Sequence, residues 1–428
     1  MVIGSKHIIA FYMNEQNYSL TKISCFTGYI VQAVIVNLAP IFFIIFQNDY
    51  NVSYSALANL IFMMFLAQLI IDALSIKLSD IFSLRAITMT ANIMAALGLI
   101  GLSVLPRVMD AYTGIMLSTL VSSIGAGFIE VIISPIIDAM PHSSSKASMS
   151  LLHSFYCWGQ MLTVLVSSLV LMAIGNDAWS YIPLAWAVIP TINIFLFAFA
   201  PLPEMVTASE RTPLKTLFGS RNFIILMLLM LCSGATELSV SQWASLFAEK
   251  GLGVSKTIGD LLGPCLFAVF MGTGRVIFGL CGNRLNYKKA LSLCATGALI
   301  CYFTMIFVPV PLIGLFGCAM TGFCVSLMWP GTLSLTSSLF PLGGMSIFSI
   351  AAICGDLGAA FGPWIAGQVS DAVQSSATFA SISDSVGITI DQIGLRVGLL
   401  VCAVFPLAMI IAVNMIKHDD KTINKEKI

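Results

Sequence analysis

Twelve times along the chain the sequence runs for 18 or more residues with almost no charge, and that repetition decides what the polypeptide can become. The stretches fall at roughly 23–46, 56–78, 86–105, 113–138, 149–174, 181–200, 222–247, 258–281, 289–308, 312–335, 346–370 and 393–416. A run of this length, wound as an α-helix, spans a hydrocarbon layer of about 30 Å. In lipid an isolated segment satisfies its own backbone N–H and C=O groups only as a helix. Of the 428 residues 58% are hydrophobic and 9% charged, against about 25% charged in soluble domains. The expected fold class is an all-α polytopic membrane protein of twelve transmembrane helices.

Composition excludes several function classes. Lys plus Arg equals Asp plus Glu at 20 each, so no basic surface for nucleic acid is expected. The eleven cysteines all lie inside apolar runs, where they serve as small buried hydrophobes. No Cys-x-x-Cys pair occurs, and the four histidines (7, 142, 153 and 418) lack metal-ligand spacing. Neither a Gly-x-Ser-x-Gly elbow nor a Gly-x-x-x-x-Gly-Lys-(Ser/Thr) loop is present, which argues against an enzyme and against ATP-driven pumping. No cofactor is expected, and a monomer in the bilayer is.

Two polar segments organise the chain. Residues 201–221 follow the sixth apolar stretch and a Ser/Asp-rich loop at 371–392 precedes the twelfth. The expected organisation is an N-terminal arm at 1–22, a six-helix bundle at 23–200, a central loop at 201–221, a second bundle at 222–416 and a tail at 417–428. The arm has no central apolar block or small-residue cleavage site, so it reads as an arm and not a removed signal. If the N-terminus is cytoplasmic, fifteen basic residues lie inside and four outside. The positive-inside rule then puts both termini in the cytoplasm of a multi-pass protein of the inner membrane.

The two halves repeat. The turn after the second stretch carries Asp80 and Arg85, and the turn after the eighth reads Gly279-Leu-Cys-Gly-Asn283-Arg284-Leu-Asn-Tyr-Lys288-Lys289. Trp158-Gly159-Gln160 on the fifth stretch is echoed by Cys354-Gly355-Asp356 on the eleventh. Asp72 and Arg275 occupy matching places, each eight residues before Asp80 or Asn283. Paired six-helix repeats around a central site suit a carrier in which one half rocks against the other.

The fourth stretch holds a carboxylate, Glu130, well inside its apolar run. Such a group costs about 2.5 to 3.5 kcal/mol on insertion scales, so it faces a watery cavity or a partner. Gly125 and Gly127 thin the helix just before it, and Pro135 loosens it just after. Glu237, about 22 Å into the seventh span at 1.5 Å per residue, is a second proton-carrier candidate, with a structural bond to Ser239 or Thr236 as the alternative. Gln242 and Trp243 follow it and offer an amide and an indole face to a pyranose ring, although Trp243 could equally anchor at the headgroups. Trp329 and Tyr302 repeat the idea more weakly. Gln32 and Asn37 are the strongly polar groups of the first span, and one of them is expected to touch solute. His153 is a possible proton shuttle or a helix-end residue. Arg275 and Asp356 are expected to form a buried ion pair with a gating role, because an unpaired charge at that depth is costly.

These features resemble the major facilitator superfamily over essentially the whole chain, and within it the fucose-permease-like branch. The residues that carry the closer resemblance are Gly125-Ala-Gly127-Phe-Ile-Glu130 with Pro135, Leu152-His153-Ser154-Phe155 with Gly159, and Gly234-Ala-Thr-Glu237 with Trp243. Gly274-Arg275 and Gly355-Asp356-Leu-Gly358 with Gly362-Pro363 extend it. The resemblance implies two pseudo-symmetric six-helix bundles, a cavity lined by spans one, four, seven and ten, and proton-driven sugar import with Glu130 binding sugar or proton. That branch also carries an acid on span one, where this chain has Gln32 and Asn37. The leading expectation is a secondary transporter for a sugar or similar polar solute. Drug or metabolite efflux by the same fold is the alternative, and a sensor that binds without transport is the remote one.

Overall fold

The computed structural model describes residues 18–138, 140, 145–203, 214–281, 286–340 and 344–416. Twelve helices long and apolar enough to cross a membrane account for most of them. They are α1 (Ser19–Ile41, continued by Phe43–Tyr50), α2 (Tyr54–Ile81), α3 (Leu84–Val108), α4 (Ala111–Asp138), α5 (Ser145–Ile174) and α6 (Tyr181–Trp186 and Val188–Phe199). The second half holds α7 (Arg221–Leu246 with a π-helical turn Phe247–Gly251), α8 (Lys256–Asp260, a π-helical turn Leu261–Cys265, then Leu266–Cys281) and α9 (Tyr287–Phe307). It ends with α10 (Pro311–Val325 and Met328–Leu339), α11 (Gly344–Gln374) and α12 (Ile390–Cys402 and Val404–Met415).

Helix starts and breaks follow from local chemistry. Ser53, Ser83 and Asn286 accept from backbone N–H groups at the first turns of α2, α3 and α9, and Thr389 with Gln392 forms a capping box on α12. At the start of α4 the Asp110 carboxylate accepts from the N–H of Thr113 at 2.9 Å and from its hydroxyl at 2.7 Å. These bonds hold the Asp110 carboxyl below its ordinary value. The interruptions in α6, α10 and α12 precede Pro190, Pro330 and Pro406, each of which lacks the N–H that the carbonyl four residues earlier needs. Within α8 the π-helical turn contains Pro264. The loop expected at 371–392 is shorter than that, since α11 runs on to Gln374 and an exposed helix Ala377–Val386 follows, closed by Gly387 at φ +71°.

Helices α1–α6 and α7–α12 form two six-helix bundles. Within them the tightest packing is α3 on α4 and α7 on α11, while α2 on α11, α5 on α8 and α1 on α7 join the bundles. Small residues permit this approach. A Cβ at Gly125 would stand 2.5 Å from the Ala91 carbonyl oxygen, and one at Gly127 3.1 Å from the Cα of Gln68. The space opened by these two glycines is therefore filled by α3 and α2 and not by a ligand. Large apolar side chains such as Phe195, Leu280 and Leu293 point outward, as a lipid-facing surface requires. The face at which α1 begins and α12 ends is called the terminal face below, and the opposite one the far face.

Candidate functional site

The polar residues of the spans converge where the bundles meet. Gln32 on α1 donates through Nε2 to Oε2 of Glu130 on α4 at 2.6 Å. One turn along each helix, the hydroxyls of Tyr29 and Ser134 are hydrogen-bonded at 2.8 Å. From the second bundle Arg275 on α8 faces Glu237 on α7, with Nη2 3.7 Å from Oε2. That separation exceeds hydrogen-bond reach, so the pair is ionic and Glu237 Oε2 keeps its acceptor capacity. Arg275 Nη1 also crosses the boundary to donate to the His153 carbonyl oxygen on α5 at 3.3 Å. The His153 ring stands edge-on to Tyr29, with centroids 5.3 Å apart. Asn37 donates to the Tyr156 hydroxyl at 3.4 Å, and Tyr156 lies within electrostatic range of Glu237, Arg275 and Glu130.

Five helices thus bring Gln32, Asn37, Glu130, His153, Glu237 and Arg275 together. Tyr29 and Tyr156 complete the cluster and were not singled out in the sequence, where an aromatic residue in an apolar helix carries no special signal. The alternative structural bond for Glu237 is not made, since Thr236 Oγ1 donates to the Cys232 carbonyl and Ser239 Oγ has no partner.

The expected Arg275–Asp356 ion pair is not formed. Matching positions in two repeats give equal depth but not direction around the helix, and Arg275 turns to Glu237. Asp356 on α11 instead faces Asp72 on α2 across the boundary, and both are buried. Trp329 on α10 lies against Gly355 beside them, where a Cβ would overlap its ring.

Gln242 and Trp243 belong to a different region, nearer the far face. Gln242 Nε2 donates to the Val36 carbonyl on α1 at 3.1 Å. Trp243 is 1% exposed, donates to the Pro363 carbonyl at 3.0 Å and packs against Tyr54 and Phe43. Neither a solute-stacking face nor a headgroup anchor describes it; it plugs the contact between the bundles. Tyr302 is also a core residue, donating to the Thr236 carbonyl at 2.8 Å.

Lys256 and Asp260, which no sequence motif marks, add a further far-face contact. They pair at 3.1 Å. Lys256 also donates to the Ile41 carbonyl of α1 at 2.8 Å, while fully buried Asp260 accepts from Ser168 of α5 at 2.8 Å and from Ser245 of α7. On the separate α2–α11 contact, Trp364 Nε1 donates to Asn59 Oδ1 at 2.8 Å.

The repeated turns act within each bundle. Arg85 donates to the carbonyls of Phe197, Ala198 and Ala200 at the end of α6. Lys288, equally placed in the second repeat, donates to the Ile416 carbonyl at the end of α12 at 2.8 Å. Of the remaining expected residues, Asn283 and Arg284 lie outside the described residues, as does the side chain of Asp80.

The expected aqueous pocket is closed among the described residues. One gap of about 160 Å³ is bounded by Thr88, Asn92, Phe128 and their neighbours, and one of about 170 Å³ by Pro40, Phe43, Thr119 and Gln242 among others. Neither leaves room for a water molecule, let alone a solute. The helices have closed on the polar cluster, with the far-face contacts holding them there.

Against known proteins, residues 25–363 match the Major Facilitator Superfamily model. No curated protein matches the chain. Among solved structures the E. coli fucose:proton symporter superposes with a TM-score of 0.63 at 16% identity, covering 93% of this chain and 99% of that one. A D-xylose–proton symporter gives 0.71 at 15% identity, with 91% and 97% covered. The nucleoside transporter NupG gives 0.67 at 12% identity, with 93% and 99% covered. Twelve apolar helices in two bundles, polar residues gathered where they meet and a family match over most of the length lead to one assignment: the chain belongs to the Major Facilitator Superfamily and is a multi-pass membrane transporter.

Proposed function

We propose that the protein is a proton-coupled carrier of a small polar solute, with a sugar as the leading class, working by alternating access. The observation that carries this reading is the cluster in which Gln32–Glu130 of one bundle meets Glu237–Arg275 of the other. Its acceptors and donors match a hydroxyl-rich ligand, and Tyr29 and Tyr156 offer ring faces for its C–H groups. The superposed structures whose names include fucose, xylose and nucleoside, all hydroxyl-bearing solutes, agree with that choice.

Glu130 and Glu237 are the proton carriers in this scheme. A proton on Glu237 weakens its hold on Arg275, and a proton on Glu130 turns an acceptor of the Gln32 amide into a donor. Either change frees polar atoms for solute hydroxyls when the helices part. The excess of basic residues on the terminal side supports cytoplasmic termini, which makes the far-face contacts the external seal.

Counterflow in vesicles tests the reading, because only a carrier exchanges labelled against unlabelled solute. Labelled fucose, xylose or a nucleoside should exchange through the wild type. Glu130→Gln or Glu237→Gln should keep exchange and lose proton-driven accumulation. Accumulation at the wild-type level in both variants would remove proton carriage from these carboxylates, and exchange of apolar drugs in place of sugars would move the assignment to efflux.

A further inference from the structure

The α2–α11 seam between the bundles is a regular antiparallel one until its terminal half. From the far face inward, Gly367 sits against Ala58 and the Tyr54 carbonyl, Trp364 bonds to Asn59, and Phe361 meets Phe62 edge-on at 5.3 Å. Small, aromatic and amide pairs give way, further along, to two acids facing each other, Asp72 and Asp356. Their residues are 2% and 3% exposed. Neither oxygen of Asp72, nor Oδ2 of Asp356, has a hydrogen-bond donor within reach.

Among the described residues the surroundings supply no cation. From α4, Glu130 lies within electrostatic range of both acids and adds a like charge. Arg275 on α8 is engaged by Glu237 of α7 and the His153 carbonyl. From α10, Trp329 brings an indole against Gly355, and the charged Arg396 of α12 belongs to the far-face end of that helix. The side chains of Lys77 and Asp80 on α2 lie outside the described residues. Two carboxylates in contact and out of water repel strongly unless a proton sits between them.

We propose that Asp72 and Asp356 bind one proton between them, at a site separate from Glu130 and Glu237, and that this proton fastens α2 to α11 on the terminal side of the bundle boundary. With the proton bound, one carboxyl donates O–H to the other's carboxylate oxygen. On release the O–H bond breaks, the proton leaves to water, and two like charges remain that push α2 from α11. The fastening role rests on the alternating-access reading above, whereas the proton site itself does not.

Infrared spectroscopy of the purified full-length protein, without solute, reads the site directly. Near neutral pH the wild type should show a deuterium-sensitive C=O stretch of a buried carboxylic acid, of which one and the same component is lost in Asp72→Asn and in Asp356→Asn but retained in Glu130→Gln and Glu237→Gln. Loss of different components in the two variants, persistence of the component in either, or its appearance only when sodium is withdrawn would overturn the shared proton. Either variant suffices if the other fails to fold. Hydrogen exchange by mass spectrometry then tests the fastening. Exchange over residues 66–75, corrected for the intrinsic rate, should rise with pH in the wild type and stay flat in both Asn variants. A flat wild-type profile would overturn the fastening. Absence of solute exchange in vesicles would sink the transport reading while leaving the infrared result standing.

Discussion

Gln242 on α7 gives the Val36 carbonyl on α1 the hydrogen bond that Pro40, four residues on, cannot give, at an N–O distance of 3.1 Å. A side chain of one bundle therefore completes the backbone of a helix in the other, and it can do so only while the far face is closed. Both are buried, so an unfilled Val36 carbonyl carries the roughly 1 to 3 kcal/mol of an unsatisfied polar group.

The first prediction follows from that bond. Gln242→Leu should lower the stability of the closed form by about 1 to 3 kcal/mol, an increase of roughly tenfold in far-face opening for each 1.4 kcal/mol. Restoring the backbone N–H with Pro40→Ala should recover most of the loss. Far-face accessibility, measured by reactivity of a cysteine introduced at Ser55, reads the double-mutant cycle. Additive effects of the two changes would mean that the bond contributes nothing to closure.

The second prediction concerns Lys256. Its ammonium is the cation beside Asp260, which is 0% exposed and otherwise holds only hydroxyl donors from Ser168 and Ser245. Lys256→Met should cost about 3 to 5 kcal/mol in stability, the usual penalty for stranding a buried charge. Adding Asp260→Asn should return most of it. Thermal unfolding of the reconstituted protein measures both, and a double variant no more stable than Lys256→Met would show that the pair is not what holds this corner.

The third prediction separates structure from gating in the repeated turns. Arg85 and Lys288 place positive charge on the last carbonyls of α6 and α12, a contact worth about 0.3 to 2 kcal/mol at a helix C-terminus. Arg85→Ala and Lys288→Ala should each lower the unfolding temperature while leaving solute exchange per folded molecule near the wild-type rate. Loss of exchange with unchanged stability would give these residues a gating role instead.

How far the chain discloses itself depends on which coordinate a residue's chemistry fixes. Apolar length fixes depth, so the twelve spans and the depth of Glu130 and Glu237 are legible. Direction around a helix is weakly encoded where every face is apolar. Depth matches Arg275 to Asp356 but the side chain turns to Glu237, and Trp243, expected as a ligand surface or a headgroup anchor, fills the seam between bundles. Lys256 and Asp260 carry no sequence signal of their own, because their partners come from α1, α5 and α7, distant in sequence. Arg85 showed its motif, but its acceptors are backbone carbonyls that no sequence pattern marks.

The last prediction returns to the ion pair at the centre. Arg275 is held by Glu237 and by the His153 carbonyl, and its Nε has no acceptor. Removing the guanidinium with Arg275→Met leaves Glu237 buried beside Glu130, two acids without a cation. Folded yield and exchange should both fall steeply, by about 3 to 5 kcal/mol in stability. Glu237→Gln in the same chain removes the stranded charge and should restore folding but not proton-driven accumulation. Arg275→Lys keeps the charge yet loses the geometry that reaches the acid and the His153 carbonyl together, so it should fold and accumulate poorly. A double variant as unstable as Arg275→Met would show that Arg275 acts through something other than its carboxylate partner. Full accumulation by that double variant would take the pair out of proton coupling and leave Glu130 as the carrier.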